Sequence, residues 1–246
     1  MMNFVCAGAE AAGVLSRVIA VHCDLGRMEW KGTKELAKKH CRHFGIPIRI
    51  VRRENGDLLQ QVRARGMWPD SRNRYCTSDQ KRDQVKKLIT ALTSSFIKAN
   101  FSGTADRPVR ILNCLGFRAE ESAARAKKEI YQVNRRVTNG KRIVFDWLPI
   151  HAWKVTDVWA SIKASRVSYH HAYDLGMPRL SCCFCIFASS PALMIAGKHN
   201  PELLSEYVEV EKAIGHTFRH GFSIASIKAR LDAGEQAPAS ASSWAM

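Results

Sequence analysis

Val18-Ile19-Ala20-Val21-His22-Cys23-Asp24-Leu25-Gly26 is a short β-prone run that ends in an acid and a turn. The pattern predicts a strand from Arg17 to His22. Lys31 to Phe44 comes next, with Leu36, Ala37, His40 and Phe44 at helical spacing. Gly45-Ile46-Pro47 stops that helix. Ile48 to Val51 is then a second strand, β-branched in the manner of a sheet buried on both faces. Strand, helix, strand is the unit of a parallel sheet, and it decides the fold.

Working outward, Asn3 to Leu15 is small, Ala-rich and helical. Gly8 to Gly13 has the spacing of half a phosphate loop, but no Lys-Ser/Thr pair follows. Gly56 to Arg65 predicts a short helix with Leu58, Leu59 and Val62 inward, ended by Gly66-Met67-Trp68-Pro69. Asp70 to Cys76 is a polar, Arg-rich loop. Ser78 is expected to cap a long helix through Lys98, with Val85, Leu88, Ile89 and Leu92 on one face. Ser102 to Pro108 reads as a linker. Val109 to Cys114 is a third strand and Arg142 to Leu148 a fourth. Between them Glu120 to Lys128 reads as helix, and Val133 to Lys141 as a mobile basic stretch. Thr156 is expected to cap a helix from Asp157 to Lys163. Tyr169 to Leu180 is irregular, and helices follow at Ala188 to Lys198, Pro201 to Ile214 and Ser223 to Leu231. The expected architecture is α/β, a parallel sheet with helices on both faces and a helical C-terminal part. Residues 1–150 form the α/β domain, 151–231 the cysteine-bearing helical part and 232–246 a disordered tail.

Composition narrows the function. Of 246 residues 46% are hydrophobic, enough for a sizeable core. The apolar runs are too short for a transmembrane helix, and the first residues lack the pattern of a signal peptide. A soluble cytoplasmic protein is expected. Thiols stay reduced in that compartment, so eight cysteines argue for ligands, catalysis or packing rather than disulfides. The net charge of +16 favours polyanionic partners: a nucleotide, a nucleic acid or a phosphorylated small molecule.

Three of the eight cysteines fall in Pro178-Arg179-Leu180-Ser181-Cys182-Cys183-Phe184-Cys185. The C-x-x-C pair of Cys182 and Cys185 lets two thiolates on one turn reach one metal or each other. Iron–sulfur, zinc, dithiol redox and plain core packing all stay open on that spacing. Upstream, Arg72-Asn73-Arg74-Tyr75-Cys76-Thr77-Ser78-Asp79-Gln80-Lys81 puts two arginines, a cysteine and a lysine at a helix start. Such a terminus is a ready anion site and would lower the Cys76 pKa. Gly116-Phe117-Arg118-Ala119-Glu120-Glu121-Ser122, followed by Arg125, leaves a strand. There Gly116 permits close backbone approach, Arg118 can fork onto a phosphate, and Glu121 can fix Arg118. Asp24, just past the first strand, either meets a ribose or adenine or simply holds its own turn. His170-His171 could complete a Cys/His zinc site, though adjacent loop histidines more often serve locally.

Together these segments resemble the phosphoadenosine phosphosulfate (PAPS) reductase-like family of the adenine nucleotide alpha-hydrolase superfamily. The resemblance rests on Val21 to Gly26, the R-Y-C-T-S-D-x-K stretch ending at Lys81 and the G-F-R-A-E-E-S turn. It extends through Trp147-Leu148-Pro149-Ile150 with Trp153 to Trp159, and the Y-D-x-G-M-x-R-L-S-C-x-F-C segment. It implies a Rossmann-like sheet that binds an adenine nucleotide, ATP or PAPS. By position, Asp24 would lie near the adenosine. Lys81, Arg118 and Arg125 would lie near phosphate and sulfate, with Gly26, Arg74, Gly116 and Glu121 as further nucleotide-site residues. Cys76, Cys182 and Cys185 match retained cysteines and would carry the chemistry. In cluster-bearing branches such cysteines hold a 4Fe-4S cluster, with Cys183 the nearest fourth ligand here and zinc the lesser alternative. The family's first strand and its S-G-G-K-D-S-type phosphate loop are absent, so Met1 is expected to be an internal or misassigned start, or the chain a degraded copy. The C-terminal nucleophilic cysteine of sulfonucleotide reductases is absent as well. The function implied is adenine-nucleotide-dependent sulfur metabolism or sulfur transfer. Alternatives are an ATP-dependent sulfur transferase acting on DNA or tRNA, and a zinc-stabilised nucleic-acid-binding module. Further partners in view are a redox protein or cysteine desulfurase and a second copy of the chain, with no membrane.

Overall fold

A computed structural model describes residues 1–101 and 107–237. The Ser102–Pro108 linker falls largely outside the described residues, as does the tail from residue 238 onward. The fold is α/β. Its elements are α1 (Met2–Ala11), β1 (Ala20–Cys23), α2 (Thr33–His43), β2 (Ile48–Val51), α3 (Leu58–Arg65), α4 (Tyr75–Thr77) and α5 (Asp83–Asn100). Then come β3 (Val109–Cys114), α6 (Ala123–Ala126), β4 (Tyr131–Val133), β5 (Arg142–Trp147), α7 (Val155–Ser165), α8 (Ser190–His199), α9 (Pro201–Ile214) and α10 (Ile224–Asp232).

The chain divides into two compact units that interleave along the sequence. Unit 1 is Met1–Val21, Lys39–Arg49 and Val85–Ser168; unit 2 is His22–Lys38, Ile50–Gln84 and Tyr169–Met246. Strands β1 and β2 pair as a two-stranded sheet. The Ala20 N–H donates to the Pro47 carbonyl and the Asp24 N–H to the Val51 carbonyl. An equal step in the same direction along both strands makes the ladder parallel.

In unit 1 the second sheet has the order β3-β5-β4. Strands β3 and β5 are parallel, with Leu112 opposite Phe145 and Cys114 opposite Trp147. Strand β4 is antiparallel, with Val133 opposite Phe145. On one face Val144 is fully buried, with Val109 and Ile111 half-buried beside it. The parallel pairing of β3 and β5 is as expected; the antiparallel β4 is an addition to it, and the stretch expected to be mobile supplies the reason. Val133 closes β4, and a hydrogen-bonded turn follows. The Asn134 N–H donates to the Val144 carbonyl, the Val144 N–H to Thr138 Oγ1 and Arg142 Nε to the Val137 carbonyl. The backbone polar groups thus find partners inside the chain.

Unit 2 holds the larger core. Helix α3 starts at a capping box, where Asp57 accepts from the Gln60 N–H and Gln60 from the Asp57 N–H. It ends at Gly66 with φ 65°, a left-handed conformation that suits glycine. Helices α8, α9 and α10 pack on one another, and α3 on α9. Trp68, Tyr207 and Phe218 form an aromatic centre, with Trp68 stacked on Tyr207 at 5.2 Å. Buried Glu211 accepts from the N–H groups of Phe218, Ile224 and Ala225, which ties α10 down.

Several expected boundaries move. Leu15–Arg17 is a 3-10 turn, so the first strand starts at Ala20. Ser78 does not cap the long helix. Helical structure begins at Tyr75 and passes through a π turn, Ser78–Arg82, into α5. Gln84 Nε2 donates to the Asp79 carbonyl at that turn. The expected Glu120–Lys128 helix breaks at Ser122, whose extended backbone caps the short α6. Asp157, not Thr156, closes the start of α7, by accepting from the Lys154 N–H.

Candidate functional site

The cysteine turn of unit 2 is fastened to the loop after β1. Glu29 and Cys182 form an antiparallel bridge, and the Cys183 N–H donates to the Met28 carbonyl at 2.9 Å. Alternation along this extended pair separates the two neighbours. Cys183 is fully buried in the apolar core. Cys182, Cys185 and Cys76 are partly buried and pack against that core's edge.

Electrostatics show which charges act on which thiols. Burial raises the Cys182 thiol to about 11; Lys81 opposes this, while Cys185, Cys76 and Glu29 add to it. Burial also raises Cys76. Its hydrogen bond with Thr77 opposes the rise, as do Arg74 and Lys81, and Cys185 reinforces it. Lys81 therefore stands among thiols drawn from two distant segments. Cys23 belongs to the same group: its Sγ lies 3.8 Å from the Lys81 carbonyl oxygen. Its thiol is raised by burial, with Lys81 again the opposing charge. Glu29, held by His22 Nε2 at 3.1 Å, supplies the facing negative charge. Arg219 faces Cys185, and burial lowers its pKa. One Arg219 nitrogen donates to the Ala188 carbonyl, while its buried Nε has no hydrogen-bond partner among the described residues. Arg74 lies over the Phe187 ring at 4.9 Å.

Sequence reading had placed Cys76, Lys81, Cys182 and Cys185 here but passed over Cys23, Glu29 and Arg219. Cys23 carried a usable signal, since it closes β1 at the carboxyl end of a parallel strand, where ligands bind in such sheets. Glu29 and Arg219 carried none, because only the fold brings them in.

Asp24 and Gly26 lie in a cleft of unit 2, about 610 Å³, whose lining includes Glu29, Trp30, Lys34, Asn200 and Glu206. Asp24 Oδ1 accepts from the Gly26 N–H at 2.8 Å and Oδ2 from Lys34 Nζ at 3.1 Å. Burial works against its ionisation, but the Gly26 N–H, Lys34 and Arg52 outweigh this and hold Asp24 below the usual carboxylate value. His170 is buried; its Nδ1 accepts from the Ala172 N–H and its Nε2 pairs with Thr33 Oγ1. Both ring nitrogens are therefore engaged locally.

Gly116, Arg118, Glu121 and Arg125 gather in unit 1. Arg118 pairs with Glu120, and Arg125 with Glu121. The Arg118 N–H donates to Glu121 at 3.0 Å, and Arg125 covers the Phe117 ring at 4.8 Å. The two guanidinium groups are thus already partnered by neighbouring carboxylates.

The donor set implied for a cluster, Cys76, Cys182, Cys183 and Cys185, does not fit one as placed. Cys183 lies in the core, and among the described residues no three His, Cys, Asp or Glu side chains converge to hold a metal ion.

An α/β fold with a thiol group at a strand's carboxyl end is the setting in which the known relatives enter. The model of the phosphoadenosine phosphosulfate reductase domain matches residues 11–188, well over half of the chain. The chain belongs to that family, and membership supports a sulfur-related, nucleotide-binding function. An uncharacterized protein of Methanocaldococcus jannaschii is 24% identical over 203 residues, covering 82% of this chain and 44% of that protein. An uncharacterized 37.8 kDa protein of Escherichia phage 186 is 24% identical over 176 residues, covering 72% and 48%. The chain thus spans about half the length of these curated relatives. The crystal structure of a PAPS reductase from Candida auris, in complex with phosphate, is similar at 14% identity and a TM-score of 0.44, covering 73% of this chain and 75% of that one. Among the described residues no helix is long and apolar enough to cross a membrane.

Proposed function

We propose that the chain is an adenine-nucleotide-binding protein of sulfur metabolism or sulfur transfer, whose thiols Cys76, Cys182 and Cys185 carry the sulfur or the electrons. The observation that carries this reading is that Lys81 acts electrostatically on Cys76, Cys182 and Cys23, whose Sγ lies 3.8 Å from the Lys81 carbonyl oxygen, while Cys185 acts on Cys76 and Cys182. Burial keeps Cys76 and Cys182 protonated at neutral pH, and a thiol reacts as its thiolate. Lys81 favours the thiolate form of both. A phosphate or sulfate of bound ATP or PAPS would compete for the same ammonium group. Nucleotide binding and thiol reactivity would then be linked through Lys81. Asp24 and Gly26 are assigned to the adenosine, and Arg74 with Lys81 to the anionic groups.

Equilibrium binding of ATP and of PAPS to the full, anaerobically purified chain tests this. Saturable binding of one of them is expected, weakened about tenfold in Lys81→Met, as for loss of a charge-assisted contact. Alkylation of Cys76 and Cys182 should slow in the same variant. If neither nucleotide binds, the reading falls. A second reading, ATP-dependent sulfur transfer to a nucleic acid, is favoured by the uneven charge. Unit 1 holds 20 Lys and Arg against 7 Asp and Glu, a net +13, and unit 2 holds 18 against 15, a net +3.

A further inference from the structure

One face of the unit 1 sheet is open over part of its area; Trp147 on the same side is half-buried beside Phe4 of α1, and Cys114 opposite it is half-buried too. Alternation puts Tyr131 and Val133 of β4, Phe145 of β5 and Leu112 of β3 on the same side. Tyr131 is 56% exposed, Leu112 51% and Val133 43%. Residues this apolar are seldom left open together on a sheet without a function. The Tyr131 ring stacks on Phe145 at 5.3 Å with 10° between the planes, the diagonal cross-strand contact that holds an aromatic flat on a sheet. Arg110 shares that side of β3 by register and is exposed. Exposed Lys127 and Lys128 precede β4, and exposed Arg135 and Arg136 follow it. Arg118 and Arg125 have carboxylate partners, but these residues figure in no ion pair among the described residues. The open face thus lies in the unit that carries +13 of the chain's +16.

We propose that the open β3-β5-β4 face is a platform for single-stranded nucleic acid, with bases stacking on Tyr131 and the phosphates met by Arg110, Lys128, Arg135 and Arg136. A flat aromatic surface rimmed by cations suits a strand whose bases are unpaired and free to stack. A duplex hides its base faces and would use only the charges. An apolar protein surface would gain nothing from so basic a rim. The platform does not rest on the nucleotide reading, because its ligand is a polymer held in unit 1 and needs no mononucleotide.

Fluorescence anisotropy of the full chain with labelled single-stranded DNA, single-stranded RNA and the matching DNA duplex, without added nucleotide, tests it. Single strands should bind more tightly than duplex; the two single-strand arms identify the sugar. Tyr131→Ala should weaken binding about tenfold, as for loss of one base stack. Tyr131→Phe should bind as the parent does, and Phe96→Ser, at an exposed aromatic on α5, should change nothing. The pair Arg135→Gln and Arg136→Gln should reduce the slope of log affinity against log salt by about 1.4, two single-strand phosphate contacts. Tyr131 is exposed, so unchanged melting of its variants verifies folding. Equal affinity for duplex, an unaffected Tyr131→Ala variant, or equal loss in Phe96→Ser would overturn the platform. So would sedimentation in which Tyr131→Ala splits a dimer without changing affinity, since a second copy would then occupy the face.

Discussion

The two units differ in what they bury. Unit 2 packs one continuous apolar core from Leu25 to Ile227, with four of the eight cysteines in it or packed against it. The apolar cluster of unit 1 around Cys6, Cys41 and Ile46 is small, with half-buried Val18, Phe44 and Ile48 packed against it. Large apolar side chains lie open on its helices and strands, Phe4, Phe96, Leu112 and Tyr131 among them. Charge runs the other way, with nearly all of the excess on unit 1. Self-repulsion and modest burial both lower stability, so unit 1 is built for its surface and unit 2 for its interior. Sulfur chemistry on thiols needs a rigid, partly desolvated setting, whereas polyanion binding needs open charge.

The largest expected effect comes from attacking the better-packed unit. Trp68 is 2% exposed, stacks on Tyr207 and donates from Nε1 to the His216 carbonyl at 3.0 Å. Trp68→Ala should cost about 3–5 kcal/mol by urea unfolding. Phe4→Ala in unit 1, where the ring is 44% exposed beside Trp147 and Trp153, should cost about 1 kcal/mol. Comparable losses would break the contrast between the units. Hydrogen exchange sharpens it, with amides of β3 to β5 expected to exchange before those of α8 and α9.

A smaller effect follows from the buried thiols. Folding raises Cys182 to about 11 and Cys183 to about 12, chiefly by burial. The folded state thus holds these protons more tightly than the unfolded chain does. Stability from this source is complete below about pH 9 and is lost as pH climbs through about 11. For Cys182 alone the loss is on the order of 2 kcal/mol. Unit 1 has one comparable thiol, Cys114, also raised to about 11 by burial. Urea midpoints at pH 8 and pH 10.5 should therefore fall more for the unit 2 transition, and Cys182→Ala should flatten that fall. An unchanged pH limb in Cys182→Ala would place the thiol in solvent.

The sequence made the strands of this fold readable where β-branched residues were bounded by Gly and Pro. Ile48–Val51 and Val109–Cys114 stand as read. It hid β4, because Tyr131-Gln132-Val133 is too short to carry a period and draws its stability from pairing with β5. The π turn at Ser78–Arg82 was equally hidden, since Ser78 has the chemistry of a cap and only the start at Tyr75 displaces it. At the candidate site, Cys76, Lys81, Cys182 and Cys185 were legible as residue types at telling positions. The place of Cys183 in the core was not, because its side of the chain depends on the bridge between Glu29 and Cys182. The interleaved units were not legible either, since they join segments far apart in sequence.

Asp24 gives the finest test, because in unit 2 it is both a proposed ligand contact and a structural acceptor. Its Oδ1 holds the Gly26 N–H, and Gly26 sits at φ 60°, where glycine is favoured. Its Oδ2 holds Lys34. Asp24→Asn keeps one acceptor for the turn and removes the charge. Because Asp24 is held below the usual carboxylate value, its contribution is present above pH 3.8 and is lost as pH falls through the lowered value. The Asn variant should therefore unfold with a shallower acid limb below about pH 4, at little cost at pH 7. Asp24→Ala removes the acceptor too and should cost about 1 kcal/mol at pH 7, a loss that shrinks in acid. If Asp24→Asn instead leaves the acid limb untouched yet abolishes adenine nucleotide binding, Asp24 works on the ligand rather than on its own turn. If it leaves both untouched, the cleft beside Lys34 is not the adenosine pocket, and that assignment must leave unit 2's acidic turn.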